Sequence, residues 1–253
     1  EMVIPYANEA AVELAALVDV PVPEPMTPLA APEPVCEVAM TADTLPLVMV
    51  AVSVVAPCQP NAAVTIHHQG MIFSQLTDET GRVDVVVPAL AQEAFFIAAF
   101  AGGEGAVAST PVPDLSNYDR AALQWQGINA VQLHALEFGA DYDSEGHVWA
   151  ASTRELDFTS PPRAGFLTTL GDDRVNNALM AEVYTFPTGQ YNQDGTVALS
   201  VEAEVTSANC GRDIAAQSIQ LNPLQEPTAI DLTMTMPDCG AIGEFLVLKN
   251  MFK

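Results

Sequence analysis

Apolar and polar positions alternate with period two along most of this chain, and a helical period appears only near its N-terminus. Val197, Leu199, Val201, Ala203 and Val205 alternate with Ala198, Ser200, Glu202, Glu204 and Thr206. This is the pattern of a strand with one buried face and one wet face. Ile230, Leu232, Met234 and Met236 alternate in the same way with Asp231, Thr233 and Thr235, and Val83, Val85 and Val87 with Arg82, Asp84 and Val86. Further strands are predicted over 47–57, 62–70, 71–78, 94–102, 130–142, 147–153, 181–188 and 244–252. Gln69-Gly70, Asp143-Ser144-Glu145-Gly146 and Asp194-Gly195 punctuate them as hairpin turns, and 111–120 reads as a loop. Residues 6–18 instead read as a short helix, with Asn8 at its cap and Glu9 in the first turn.

Between that helix and the first strand, six of the sixteen residues 20–35 are proline. Such a segment forms extended polyproline-like chain. The expected architecture is all-β: two antiparallel β-sandwich domains, 36–160 and 161–253, preceded by a helix and Pro-rich arm over 1–35. Ser160-Pro161-Pro162 marks the expected boundary.

Composition narrows the function classes. Hydrophobic residues make up 49% of the 253, enough for a sizeable core. The 32 acidic residues outnumber the 8 basic ones, for a net charge of -24, and the basic residues form no patch. Nucleic acid and anionic membranes both call for clustered Lys or Arg, so neither is an expected partner. No apolar run reads as a membrane span. A start at Glu1 rather than Met makes an upstream signal peptide or membrane anchor the expectation.

The four cysteines form two pairs, Cys36/Cys58 and Cys210/Cys239, without the spacing of a metal site. Local disulfides, 36–58 and 210–239, are expected over the crossed connectivities, with buried thiols as the alternative. They place the protein in an oxidising compartment, periplasmic or extracellular.

The stretch VTIHHQGMIFSQLTDETGRVDVVVPAL, residues 64–90, resembles the transthyretin-like, carboxypeptidase-regulatory type of β-sandwich. Thr77-Asp78-Glu79-Thr80-Gly81-Arg82 carries the resemblance, ahead of alternating Val83, Val85 and Val87. Asp78 is expected to bond backbone amides across that turn, and Gly81 to take positive φ. The resemblance implies a fold and an accessory role for about a third of the chain, and no catalytic residues.

Candidate chemistry is sparse. There is no GxSxG, HExxH, P-loop or GxGxxG signature, so the chain reads as a non-enzyme with no resident cofactor. Asp141, Asp143 and Glu145 stand at alternate positions as at the start of a calcium loop, but position twelve is Ser152 and strands flank it; an acidic turn is the favoured reading. Asp172-Asp173 and Asp194 are weaker cation candidates of the same kind. His134, His147 and one of His67 or His68 could supply imidazoles to zinc or copper, although satisfied histidines are the default. Trp125, flanked by Gln124 and Gln126, is the best contact residue, with Tyr118 as a second; Trp149 is expected in the core.

Two functions follow. The leading one is a non-catalytic exported accessory or structural subunit of a larger envelope or membrane-associated assembly, with other protein subunits as partners and the N-terminal arm as the dock. The alternative is a soluble extracytoplasmic module binding calcium or a glycan.

Overall fold

A computed structural model describes residues 36–127, 131–159, 164–188, 196–221 and 227–249. The expected helix, the Pro-rich arm and the Asp194-Gly195 turn lie outside these residues. The described chain is all-β, with strands β1 (Ala39–Leu45), β2 (Met49–Val55), β3 (Ala63–His68), β4 (Met71–Leu76), β5 (Arg82–Pro88), β6 (Glu93–Phe100) and β7 (Gly105–Pro111) in its first part. After a 3-10 turn at Pro113–Asn117 come β8 (Tyr118–Gln126), β9 (Gln132–Glu137), β10 (His147–Val148), β11 (Phe166–Leu170) and β12 (Leu179–Pro187). The last strands are β13 (Val197–Glu204), β14 (Asp213–Leu221), β15 (Thr228–Thr235) and β16 (Phe245–Lys249).

These strands make four antiparallel sheets, ordered β1-β2-β5, β4-β3-β6-β7, β11-β12-β8-β14-β15 and β10-β9-β13-β16. The first two share buried Val54, Val64, Val83, Ala98 and Phe100. The last two share Leu123, Trp125, Leu133, Val201, Leu232 and Met234. A third cluster joins both sheet pairs, running from Val50, Ile66, Phe73 and Phe96 to Ala122, Leu170, Val183 and Ile219. Residues 34–253 accordingly form one compact unit.

Sheet membership departs from the sequence reading in two ways. Strands β8 and β9 lie before residue 160, yet they pair with β12, β13 and β14, and β10 joins the same sheet through β9. The sheet break therefore falls in the 3-10 turn at 113–117 and not at Ser160-Pro161-Pro162. Backbone pairing, and not proline content, decides where a sheet ends. Strands β12 and β13, expected as a hairpin, belong to different sheets. Strands β15 and β16 are likewise consecutive in the chain and in different sheets. Within one strand's alternation nothing distinguishes a hairpin from such a change of sheet.

Both expected disulfides are present. Cys36–Cys58 and Cys210–Cys239 have Cα separations of 5.2 Å and 5.0 Å, inside the usual bridging range. Such bonds fit an oxidising environment. The β3–β4 turn also forms as read, with Gln69 at φ 51° and Gly70 at φ 87°, the conformation of a two-residue hairpin.

Candidate functional site

The outer face of the β10-β9-β13-β16 sheet carries a buried polar chain. Register places His134 on β9 opposite Ser200 on β13, and Gln132 opposite Glu202. His147, at the start of β10, completes the group. The Asp143 amide donates to His147 Nδ1 at 3.1 Å, and His147 Nε2 lies 2.8 Å from His134 Nδ1. A backbone N–H can only donate, so His147 Nδ1 accepts and Nε2 carries the proton toward His134. The remaining His134 Nε2–H then faces Gln132 Oε1 at 3.4 Å and Glu202 Oε2 at 3.9 Å. Glu202 also accepts from the Tyr142 and Ser200 hydroxyls. Trp149 closes the group, its ring stacked 4.9 Å from that of His134 and 5.7 Å from that of His147. Burial holds the pKa of His134 below the ordinary imidazole value, with Glu202 pulling the other way. The Glu202 hydrogen bond, followed by burial, holds the Tyr142 hydroxyl above its ordinary value.

On the neighbouring edge two buried carboxylates bridge the paired sheets. Glu137 on β9 accepts from Tyr184 Oη at 2.7 Å, Arg154 Nη1 at 2.9 Å and the Gly165 amide at 2.8 Å. Glu182 on β12 accepts from the Leu133 amide at 2.6 Å. Because β10 is only two residues long, Leu133 N–H has no strand partner on that side, and Glu182 supplies the acceptor. Burial pushes the Glu182 carboxyl up to about 7, against the pull of that hydrogen bond.

Glu182 also lines a cleft of about 340 Å³ between the sheet pairs, together with Trp125, Gln75, Gln132, Thr169 and Asp173. Trp125 is 8% exposed, and its indole Nε1–H has no acceptor.

The residues singled out from sequence are placed as follows. Trp125 is buried on β8 among Leu123, Leu133 and Val201, while Gln124, on the opposite face, bonds Gly70 O, the Ile72 amide and Gln217 across the sheet junction. Tyr118 begins β8, half-buried against the shared core. Trp149 is half-buried on the histidine pair. Asp141, Asp143 and Glu145 are exposed in the β9–β10 turn, where Asp141 O accepts from Ser144 and Asp143 sits at φ 61°. Among the described residues no group of three or more His, Cys, Asp or Glu is arranged to hold a metal ion. His134 and His147 do come together, whereas His68 is buried elsewhere, between Phe95 O and the Leu90 amide at 2.8 Å each.

Glu137 and Glu182 were not singled out from sequence. Each interrupts the apolar phase of its strand (Leu133, Ala135, Glu137; Met180, Glu182, Tyr184), and that interruption is the signal that could have found them. No protein-family model matches the chain, and no curated protein matches it either.

Proposed function

We propose that the protein is a non-catalytic, exported accessory or structural subunit of a larger envelope or membrane-associated assembly. It comprises two sandwich modules, the first transthyretin-like, and docks to other protein subunits through residues 1–35. The observation that carries this reading is the Cys36–Cys58 bond, which ties the root of the arm covalently to the turn after β2. A segment anchored in this way transmits load to the β-body without unravelling β1. The two disulfides also support a periplasmic or extracellular setting. Comparison of the full chain with a chain starting at Cys36 tests this, by sizing the complexes each forms with proteins of its native host. Loss of a stoichiometric complex with retention of the β-body's melting transition is expected. Equal association by both chains overturns the reading.

A second reading, an extracytoplasmic ligand-binding module, rests on the cleft beside Trp125.

A further inference from the structure

We propose that the cleft lined by Trp125 and Glu182 binds one uncharged sugar or polyol unit. The inference rests on the ligand-binding reading and specifies where the ligand sits and what class it belongs to.

The cleft is built from both sheet pairs. Gln75 comes from β4, while Trp125, Thr169, Met180 and Glu182 come from β8, β11 and β12. Pockets between packed units are common ligand positions, and about 340 Å³ lies at the small end of the range for such sites, roughly 300–1,000 Å³. That is room for a single ring and not for an extended chain.

Its polar groups specify the ligand. Trp125 borders this space with its ring, while its indole N–H is enclosed by the fold and is not one of the groups a ligand meets. Glu182, Asp172 and Asp173 surround the same space with carboxyl oxygens that ask for donors and repel an anion. Asp172 is already engaged by Arg174, at 2.5 Å. Gln75, Gln132 and Thr169 add groups that both donate and accept. A hydroxyl is the small neutral group that donates and accepts at once, and several on one ring meet this lining together. The raised carboxyl of Glu182 suits the same partner, since it meets a hydroxyl in either protonation state. Trp125 and Met180 supply the apolar surface against which a ring's C–H face packs.

The chain has two tryptophans, so two indole N–H signals are expected in a ¹H–¹⁵N spectrum. They are assigned with the variant W149F, which keeps Trp125. The probes are glucose, galactose, mannose, N-acetylglucosamine and glycerol, with choline as the cationic control, each titrated to tens of millimolar. The expected result is a saturable shift of the Trp125 indole signal with at least one sugar or polyol, weakened about tenfold in E182Q, while the Trp149 signal stays in place. A saturable shift with choline alone overturns the ligand class and leaves a binding cleft. No shift with any probe, in a folded protein showing both signals, means that the cleft holds water only and overturns the binding reading too.

Discussion

Arg120 Nη2 donates to the carbonyl of Val48 at 2.9 Å, and Val48 is a buried β-branched residue held in the left-handed region at φ 53°. Leu47, at φ 61°, presents its carbonyl to the same nitrogen at 3.1 Å. Arg120 also donates from Nη1 to Ala89 O and from Nε to Thr185 Oγ1 at 3.1 Å. One guanidinium on β8 thereby ties down the strained β1–β2 turn, the end of β5 and strand β12. Left-handed backbone costs a β-branched residue about 1–2 kcal/mol, and it persists only where surrounding bonds over-determine it.

Replacing Arg120 by Met keeps much of the apolar stem but removes every donor. The carbonyls of Leu47, Val48 and Ala89 then lose this partner in a buried setting. Stability is expected to fall by roughly 3–5 kcal/mol, read from the midpoint of urea denaturation. R120K, which restores one or two donors, should lose less. A loss under about 1 kcal/mol for R120M would show that the turn holds itself without the guanidinium.

Much of the β-body was legible in the chain because its strands have one face in the core. Strands β2 and β5 follow the alternation, β13 departs from it by burying Ser200 and Glu202 on the face expected to be wet, β15 departs from it by exposing Ile230, and the Gln69-Gly70 turn follows from its dipeptide. Strands β1, β7, β8, β11 and β14 escaped, and two of them carry polar residues inside the fold. Strand β8 carries Arg120 and Gln124, both spent on the junction between the sheet pairs, and β14 carries fully buried Ser218. The pattern of β8 looks like loop or exposed surface because the partners that satisfy Arg120 and Gln124 are distant in sequence. The burial of Trp125 was equally hidden, since Gln124 on one side of it is bonded to other strands while Gln126 on the other side is exposed. The histidine chain was half visible, since the Asp143–Gly146 turn brings β9 and β10 together. Which imidazole meets which depends on a register, His147 opposite Leu136, that alternation does not specify.

Stability should depend on pH through two buried groups of opposite sign. His68 is held down to about 4, chiefly by burial. Its folded value lies below its unfolded value of about 6.5, so the unfolded chain takes up the proton first. The His68 contribution is therefore complete above about pH 6.5 and is lost as pH falls toward 4, by roughly 3 kcal/mol in all. Glu182 is raised from 4.5 to about 7, so here the folded chain holds the proton longer. Its carboxyl costs stability as pH rises from 4.5 to 7, again by roughly 3 kcal/mol. E182Q should thus gain on the parent by about 1–3 kcal/mol at pH 8 and by little near pH 4. Urea denaturation of both proteins at these two pH values checks the sign. An equal difference at both would mean that Glu182 titrates normally in the folded state.

The backbone amides also dictate tautomers. Leu90 N–H donates to His68 Nε2, so that ring carries its proton on Nδ1 and gives it to Phe95 O. Asp143 N–H donates to His147 Nδ1, so His147 carries its proton on Nε2, and His134 follows with its own on Nε2. Long-range ¹H–¹⁵N spectra at a pH where the imidazoles are neutral should therefore show one Nδ1–H ring and two Nε2–H rings among these three. An Nδ1–H form of His147 would break the chain at its first link, since two donors would then face each other.

The turn after β4 depends on one glycine more than on its aspartate. Asp78 Oδ1 accepts from the Thr80 amide, the Thr80 hydroxyl and the Arg82 amide at 2.7–2.9 Å. These bonds, that to the Thr80 hydroxyl first, hold its carboxyl below the usual range. All of them are exposed, so water substitutes readily when the carboxylate is removed. Gly81 is different. It sits at φ +78°, and a Cβ there would stand 2.0 Å from Ala56 O. Its own carbonyl accepts from the Ala56 amide at 2.8 Å, so the two chains cannot separate without losing that bond. G81A must therefore both strain φ and push away the segment that leads to Cys58. A loss of roughly 2–4 kcal/mol is expected, larger than for D78A, when both are measured by thermal or urea unfolding. Because the displaced segment carries the Cys36–Cys58 bond, G81A should also make that bond easier to reduce than Cys210–Cys239, which mass spectrometry after graded thiol treatment reads directly. Matching reduction of both bonds in G81A and the parent would show that the turn and the disulfide are mechanically independent.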